Sequence, residues 1–247
     1  MVTIQCGAVR FPHIQAVIFD KDGTIANSQD FLRNLGQKRA RLIDAQIPGV
    51  QEPLLMAFGL DGGTLNPAGL VAVGTRQENA IAAAAYVAET GRDWMESLEI
   101  VSSAFSEADR VLKRKADATP PFDGVEEVLR SLAAAGIKAG ILSSDSTANV
   151  QDFVERYGLD SLLELKMGTD AGGPSKPDPT LFYQACAALA VPPSAVLMIG
   201  DSVADLKMAQ AAKAGGSIGV TWGWTRLASL KPADVLINSL AEVQILL

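Results

Sequence analysis

The chain has 247 residues, enough for one substantial core and a smaller module. Its 21 basic side chains against 28 acidic ones give a net charge of -7, which argues against a nucleic-acid-binding patch. No stretch offers the ~20 apolar residues of a membrane span, and Cys6 and Cys186 are too few for a disulfide framework, so a reducing cytoplasm is the expected setting.

The N-terminal residues lack a basic region followed by an apolar core, so no signal peptide is expected. His13 is expected at the surface, and both cysteines as buried packing residues. Ala16-Val17-Ile18-Phe19 reads as a buried strand that delivers Asp20-Lys21-Asp22-Gly23-Thr24 to the end of a sheet. Ligand crevices of open α/β sheets lie outside those ends, so Asp20 stands where a carboxylate can attack phosphorus and Asp22 where a second one can pass a proton. Strand alternation turns the Lys21 side chain away from both aspartates, which leaves Lys21 as a backbone donor.

Residues 28–118 contain no convincing strand and read as helices. Phe31, Leu32, Leu35, Leu42 and Ile43 recur at helical spacing, residues 80–87 are alanine-rich, and Trp94, Leu98, Val101, Phe105, Val111 and Leu112 continue the pattern. Thr75-Arg76-Gln77-Glu78 is a capping box. Residues 59–69 are glycine-dense and polar, the composition of a mobile recognition loop. Hinges are expected near residues 27–28 and 119–121, with Pro120 and Pro121 as a stiff return linker.

A helix over 123–135 is expected to start at Asp123, with Glu126 three residues on. Apolar runs at 139–142, 162–167, 196–199, 217–220 and 235–237 then alternate with helical patterns, the mark of a mainly parallel sheet covered on both faces. Polar motifs follow these runs: Ser143-Ser144-Asp145, Ser175-Lys176-Pro177-Asp178-Pro179, and Gly200-Asp201-Ser202-Val203-Ala204-Asp205. Singly, the first two have ordinary explanations: Asp145 or Ser146 can cap a helix, and Asp178 with Pro179 is a standard helix start. Trp222-Gly223-Trp224 follows the strand at 217–220, either as an exposed loop near the sheet's active edge or as packing under the last helix.

In this order, the four polar motifs resemble those of the haloacid dehalogenase superfamily, on its phosphatase side and most like phosphoglycolate phosphatases. The resemblance runs from about Ala16 to the C-terminus, with residues between the first two motifs less diagnostic. It implies a Rossmann-like α/β core, residues 1–27 and 119–247, with a helical cap at 28–118 that closes over the phosphoryl site. It also implies Asp20 as nucleophile, Asp22 as general acid/base, Lys176 as the charge-balancing lysine, and Mg²⁺ held by Asp20, the Asp22 carbonyl, Asp201 and Asp205. Substrate contacts would come from Ser143, Lys176, Thr24 and the N–H groups near Lys21, Asp22 and Ser144. Arg76 and Asn79 are the cap candidates for the leaving group.

Dehalogenases of the superfamily lack the second aspartate, so Asp22 favours phosphoryl transfer. Ion pumps carry a similar first motif but need membrane spans, and phosphoglucomutase relatives commonly carry Val where Thr24 stands. The expectation is a phosphatase for a small phosphorylated metabolite, phosphoglycolate first, with no nucleic-acid or membrane partner. Sugar-phosphate, nucleotide or pyrophosphate phosphatase, a phosphoglucomutase-like transferase, and a non-catalytic binding module are the alternatives.

Overall fold

A computed structural model describes residues 2–225 and 229–246. The chain forms two compact units, Met1–Asn27 with Thr119–Leu247, and Ser28–Ala118. The first begins with strands β1 (Thr3–Cys6), β2 (Val9–Pro12) and β3 (Ala16–Phe19). The second contains α1 (Gln29–Asp44), α2 (Gln51–Phe58), β4 (Leu60–Asp61), β5 (Thr64–Leu65), α3 (Leu70–Val73), α4 (Arg76–Glu89), α5 (Trp94–Val111) and α6 (Lys115–Ala118). The first unit resumes with α7 (Val125–Ala134), β6 (Lys138–Leu142), α8 (Thr147–Arg156), β7 (Leu165–Met167), α9 (Pro179–Ala188), β8 (Val196–Gly200), α10 (Val203–Ala211), β9 (Gly216–Val220), β10 (Val235–Ile237) and β11 (Val243–Leu246).

A six-stranded parallel sheet in the order β10-β9-β8-β3-β6-β7 organises the first unit. Alternation along β3 sends Val17 and Phe19 into one core, with Leu129 and Leu132 of α7 and Phe153 of α8. Ala16 and Ile18 enter the other, with Phe182 of α9 and Met208 of α10. Covered on both faces, each strand is apolar throughout, which is why the runs were visible. Full burial of each such Val, Ile or Phe contributes about 1.5–3 kcal/mol.

A second, antiparallel sheet in the order β11-β1-β2 was not expected from the sequence. It pairs Thr3 with Leu246 and sends Ile4 and Phe11 into the first core. The α7 start also differs: Gly124, at φ +87°, is the N-cap and makes no side-chain cap bond. That left-handed backbone displaces Asp123 from the capping position, so the Asp-x-x-Glu spacing misled.

In the helical unit α5 packs against α1 and α4, burying Ile43, Ala83, Val87, Val101 and Phe105. The expected α5 stripe holds at its centre, where Val101 and Phe105 are buried, but not at its ends: Trp94 and Val111 are exposed, while Ser97, Ala104 and Ala108 complete the buried face. The capping box at Thr75 and Glu78 is present. Part of the glycine-dense segment is a β4–β5 hairpin, its turn made by Gly62 and Gly63 at φ +52° and +83°. Two consecutive left-handed residues suit a type I′ turn, for which glycine is favoured.

Candidate active site

Asp20 directly follows β3, and its N–H donates to the Ile199 carbonyl at 2.8 Å, extending the pairing of β3 with β8. In register, Phe19 lies beside Ile141 on one side and Ile199 on the other. Ser143 after β6 and Asp201 after β8 therefore emerge at the same carboxyl edge as Asp20. Gly200 is required there, since a Cβ on it would lie 2.6 Å from Asp205 Oδ2.

Asp20, Asp201 and Asp205 are all buried, and one carboxylate oxygen of each lies within 4.8 Å of the others. Lys176, buried just before α9, donates to Asp20 Oδ1 at 2.5 Å and lies 2.6 Å from Asp205 Oδ1. The other Asp205 oxygen accepts from the Ser202 N–H at 3.2 Å and the Ser202 hydroxyl at 2.6 Å, closing the capping box that starts α10. Asp205 thus fixes the helix and the lysine together.

Both oxygens of Asp201 accept neutral donors: Thr24 Oγ1 at 2.7 Å on Oδ1, and Trp224 Nε1 at 2.6 Å on Oδ2. Trp222 Nε1 donates to the Thr24 carbonyl at 3.1 Å, so the Trp222-Gly223-Trp224 segment clasps the first motif. Glycine is needed on both sides of this clasp. A Cβ on Gly223 would stand 1.9 Å from the Gly23 carbonyl oxygen, and Gly23, at φ +86°, has room for none against Trp224 and Asp201.

The electrostatics show an excess of negative charge. Burial pushes the Asp20 carboxyl up to about 6; Lys176 opposes the rise, and Asp205 and Asp22 add to it. Burial, then Asp20 and Asp205, hold Asp201 well above the ordinary carboxylate range against the pull of Thr24 and Trp224. Burial works against the Lys176 ammonium, yet Asp20 and Asp205 together outweigh it and raise its pKa. The Lys176 ammonium pairs with two of the three clustered carboxylates, and the residual charge is what a divalent cation would offset. The hard oxygen donors of Asp20, Asp201 and Asp205 fit such an ion.

Ser143 is buried, with its N–H on the Met167 carbonyl at 3.0 Å and its Oγ accepting from the Asp145 N–H at 3.1 Å; Ser144 beside it is half-buried. Three residues differ from expectation. The Lys21 side chain does not turn away from Asp22: it is buried, its ammonium 2.8 Å from Asp22 Oδ1 and 3.2 Å from Asp145 Oδ2. The chain leaves strand conformation at Asp20, so alternation no longer applies. The Thr24 hydroxyl serves Asp201, which accounts for it as a support of that carboxylate.

Asn79 is only 2% exposed, and its amide donates to the Thr75 carbonyl at 2.8 Å and the Leu70 carbonyl at 3.2 Å. That burial makes it a brace within the helical unit, contrary to a leaving-group contact. Arg76 is half exposed, paired with Asp109 at 2.9 Å, its guanidinium 5.5 Å from the Phe105 ring centroid. Trp224, read from the sequence as part of an exposed loop near the active edge or as packing, is buried, and its indole serves Asp201, a role the sequence reading did not assign. The signal available was an indole donor placed just beyond a strand of the active edge.

A family model described as haloacid dehalogenase-like hydrolase matches residues 14–213. Among curated relatives, the phosphoglycolate phosphatase of Colwellia psychrerythraea is 36% identical over 103 residues, 42% of this chain and 45% of that one. The N-acetylmuramic acid 6-phosphate phosphatase of Pseudomonas aeruginosa is 27% identical over 205 residues, 78% of this chain and 76% of that one. The chain thus spans about half the length of the first relative and three quarters of the second. A crystal structure from Haemophilus somnus, described as a predicted phosphoglycolate phosphatase, superimposes with a TM-score of 0.70 at 20% identity, covering 93% of this chain and 96% of the other; at that identity it supports the fold alone. No helix among the described residues is long and apolar enough to cross a membrane. The chain belongs to the haloacid dehalogenase-like hydrolases.

Proposed function

We propose that this protein is a Mg²⁺-dependent phosphatase that hydrolyses a small phosphorylated metabolite through an aspartyl-phosphate on Asp20, with phosphoglycolate as the first substrate to test. The observation that carries this reading is the buried Lys176 ammonium bridging Asp20 and Asp205 beside Asp201, with Asp22 two residues beyond the nucleophile. Phosphate-monoester hydrolysis needs accelerations of up to ~10²¹-fold, so the task must be divided among several groups.

In the first half-reaction a carboxylate oxygen of Asp20 bonds to phosphorus. The ester P–O bond breaks, its electron pair leaves on the substrate oxygen, and the Asp22 carboxyl protonates that oxygen. In the second, the Asp22 carboxylate takes a proton from water as the water oxygen bonds to phosphorus. The bond to Asp20 breaks and inorganic phosphate leaves. Lys176 holds positive charge against the nucleophile throughout. Ser143 and the N–H groups of Lys21, Asp22 and Ser144 form the phosphate cradle.

Asp20, Asp201, the Asp22 carbonyl and Asp205, directly or through water, would hold Mg²⁺. When bound, the ion would lower the repulsion between the acidic cluster and a phosphate dianion. The clasp of Thr24 and Trp224 holds Asp201 for that purpose.

Specificity constants should be measured with Mg²⁺ on phosphoglycolate, hexose phosphates, nucleoside monophosphates and pyrophosphate. Similarity to an N-acetylmuramic acid 6-phosphate phosphatase makes a sugar phosphate the second reading, so that ester belongs in the panel. Phosphate release, as opposed to isomerisation of a hexose phosphate, separates a hydrolase from a mutase. Equal phosphate release by Asp20→Asn and unaltered protein would reject the nucleophile. No turnover on any ester would favour a binding module.

A further inference from the structure

Lys21 is a buried cation that the two half-reactions above do not use except through its backbone. Its side chain is 1% exposed. Removing an ammonium from water is costly unless the charge is paired, so a lysine here needs a cause that a packing residue does not. The cation has two carboxylate neighbours: Asp22 Oδ1 at 2.8 Å and Asp145 Oδ2 at 3.2 Å.

One of these neighbours is held in turn by the start of α8. Asp145 is an anchor: its Oδ1 accepts from the Ser146 N–H at 2.9 Å and from Asn149 Nδ2 at 2.7 Å, both at the start of α8. Its own N–H donates to the Ser143 hydroxyl. The Lys21 ammonium also lies 5.8 Å from the ring centroid of Phe153, a core residue of α8. Two contacts on α8 and its N-terminal loop therefore fix where the ammonium sits, independently of Asp22. Asp22 receives a donor whose position is set by the core.

We propose that Lys21 is a positioning residue: tethered by Asp145 and Phe153, its ammonium holds the Asp22 carboxyl where it protonates the departing alkoxide. The proposal rests on the phosphatase reading, because it presumes that Asp22 is the acid. It also ties the acid's placement to the loop that carries Ser143, so phosphate cradle and proton donor share one support.

The test exploits the leaving group. The specificity constant reports steps up to the first irreversible one, here departure of the leaving oxygen. An alkoxide needs protonation as it departs, whereas p-nitrophenolate does not. Lys21→Met and Asp145→Asn should be compared with unaltered protein at saturating Mg²⁺. The probes are p-nitrophenyl phosphate and whichever alkyl phosphate of the substrate panel the unaltered enzyme hydrolyses best.

The expected result is a fall of about tenfold or more in kcat/KM for the alkyl ester, with p-nitrophenyl phosphate changed by less than about threefold. Asp145→Asn should show the same selectivity more weakly. Thermal melting reports the fold of each variant. If Lys21→Met does not melt cooperatively, Asp145→Asn decides by the same criterion. Equal losses on both esters in a folded variant, or no loss on either, would overturn the role of Lys21. Failure of the unaltered protein to hydrolyse either ester would instead overturn the phosphatase reading beneath it, and the two failures are told apart by that control.

Discussion

The two units use polar groups in opposite ways. In the α/β unit, buried polar and charged groups meet across long stretches of chain: Lys176 reaches Asp20, and Thr24 reaches Asp201. In the helical unit many polar contacts are local, such as Thr75 with Glu78 and Asp93 with Glu96 at helix starts. A longer-range set there joins Arg39 and Arg76 to Asp109, with the Arg39 guanidinium 4.1 Å from the Phe105 ring centroid. Local caps stabilise whichever helix carries them, whereas crowded carboxylates in a low-dielectric interior raise one another's pKa and call for a counter-ion. The first unit is thus built to hold charge in place, and the second to present a packed helical scaffold.

The largest effect should come from Asp20, the proposed nucleophile. Asp20→Asn is expected to lower phosphate release roughly 10³-fold or more while leaving a folded protein. Activity within a few-fold of the unaltered protein would break the contrast at its centre.

The clasp comes next. Trp224→Phe keeps an aromatic ring, though a smaller one, and removes the donor to Asp201 Oδ2, and loss of such a supporting bond typically weakens metal affinity or activity 10–100-fold. A Mg²⁺ titration of activity, with melting temperature against Mg²⁺ as a second readout, should show a raised half-saturation. An unchanged value would reduce the indole to packing.

The charge excess predicts a pH signature in the absence of divalent cation. Asp20 ordinarily titrates near 3.8 and in the fold near 6, so the native state binds more protons between those values. Stability contributed by the protonated form is therefore present below about pH 4 and lost as pH rises through 6. Asp201 is displaced in the same direction. Melting temperatures in EDTA across this window should decline less for Asp20→Asn than for the unaltered protein, and added Mg²⁺ should flatten the difference. Parallel curves would sink the account of crowding.

The smallest effect is expected in the helical unit. Arg76→Ala breaks a half-exposed pair with Asp109, for which about 1 kcal/mol or less is at stake. Denaturant unfolding measures that directly. A loss of several kcal/mol would make the helical unit as charge-dependent as the sheet.

Legibility followed the same division. The parallel strands could be read because burial on both faces leaves unbroken apolar runs, as in Ala16–Phe19 and Val196–Gly200. Helix starts with side-chain caps, at Thr75 and at Asp178 with Pro179, were likewise visible. Strand β1 was not, because its four residues gain a place only by pairing with β2 and with β11 at the opposite end of the chain. Asp123 misled because nothing local announces that Gly124 takes a left-handed backbone and the cap with it.

The sequence alone determined that Asp20, Asp22, Lys176, Asp201 and Asp205 stand in polar motifs that follow apolar runs, and the roles proposed for them rest on the resemblance of those motifs to the superfamily. Only the fold decided what surrounds them: that Trp224 and Thr24 share Asp201, that Asp205 serves both a helix start and a lysine, and that Lys21 turns inward to Asp22. The reason is physical. A motif specifies side chains along the chain, but hydrogen bonds and charge pairing act through distance in space, which strand order and loop packing establish.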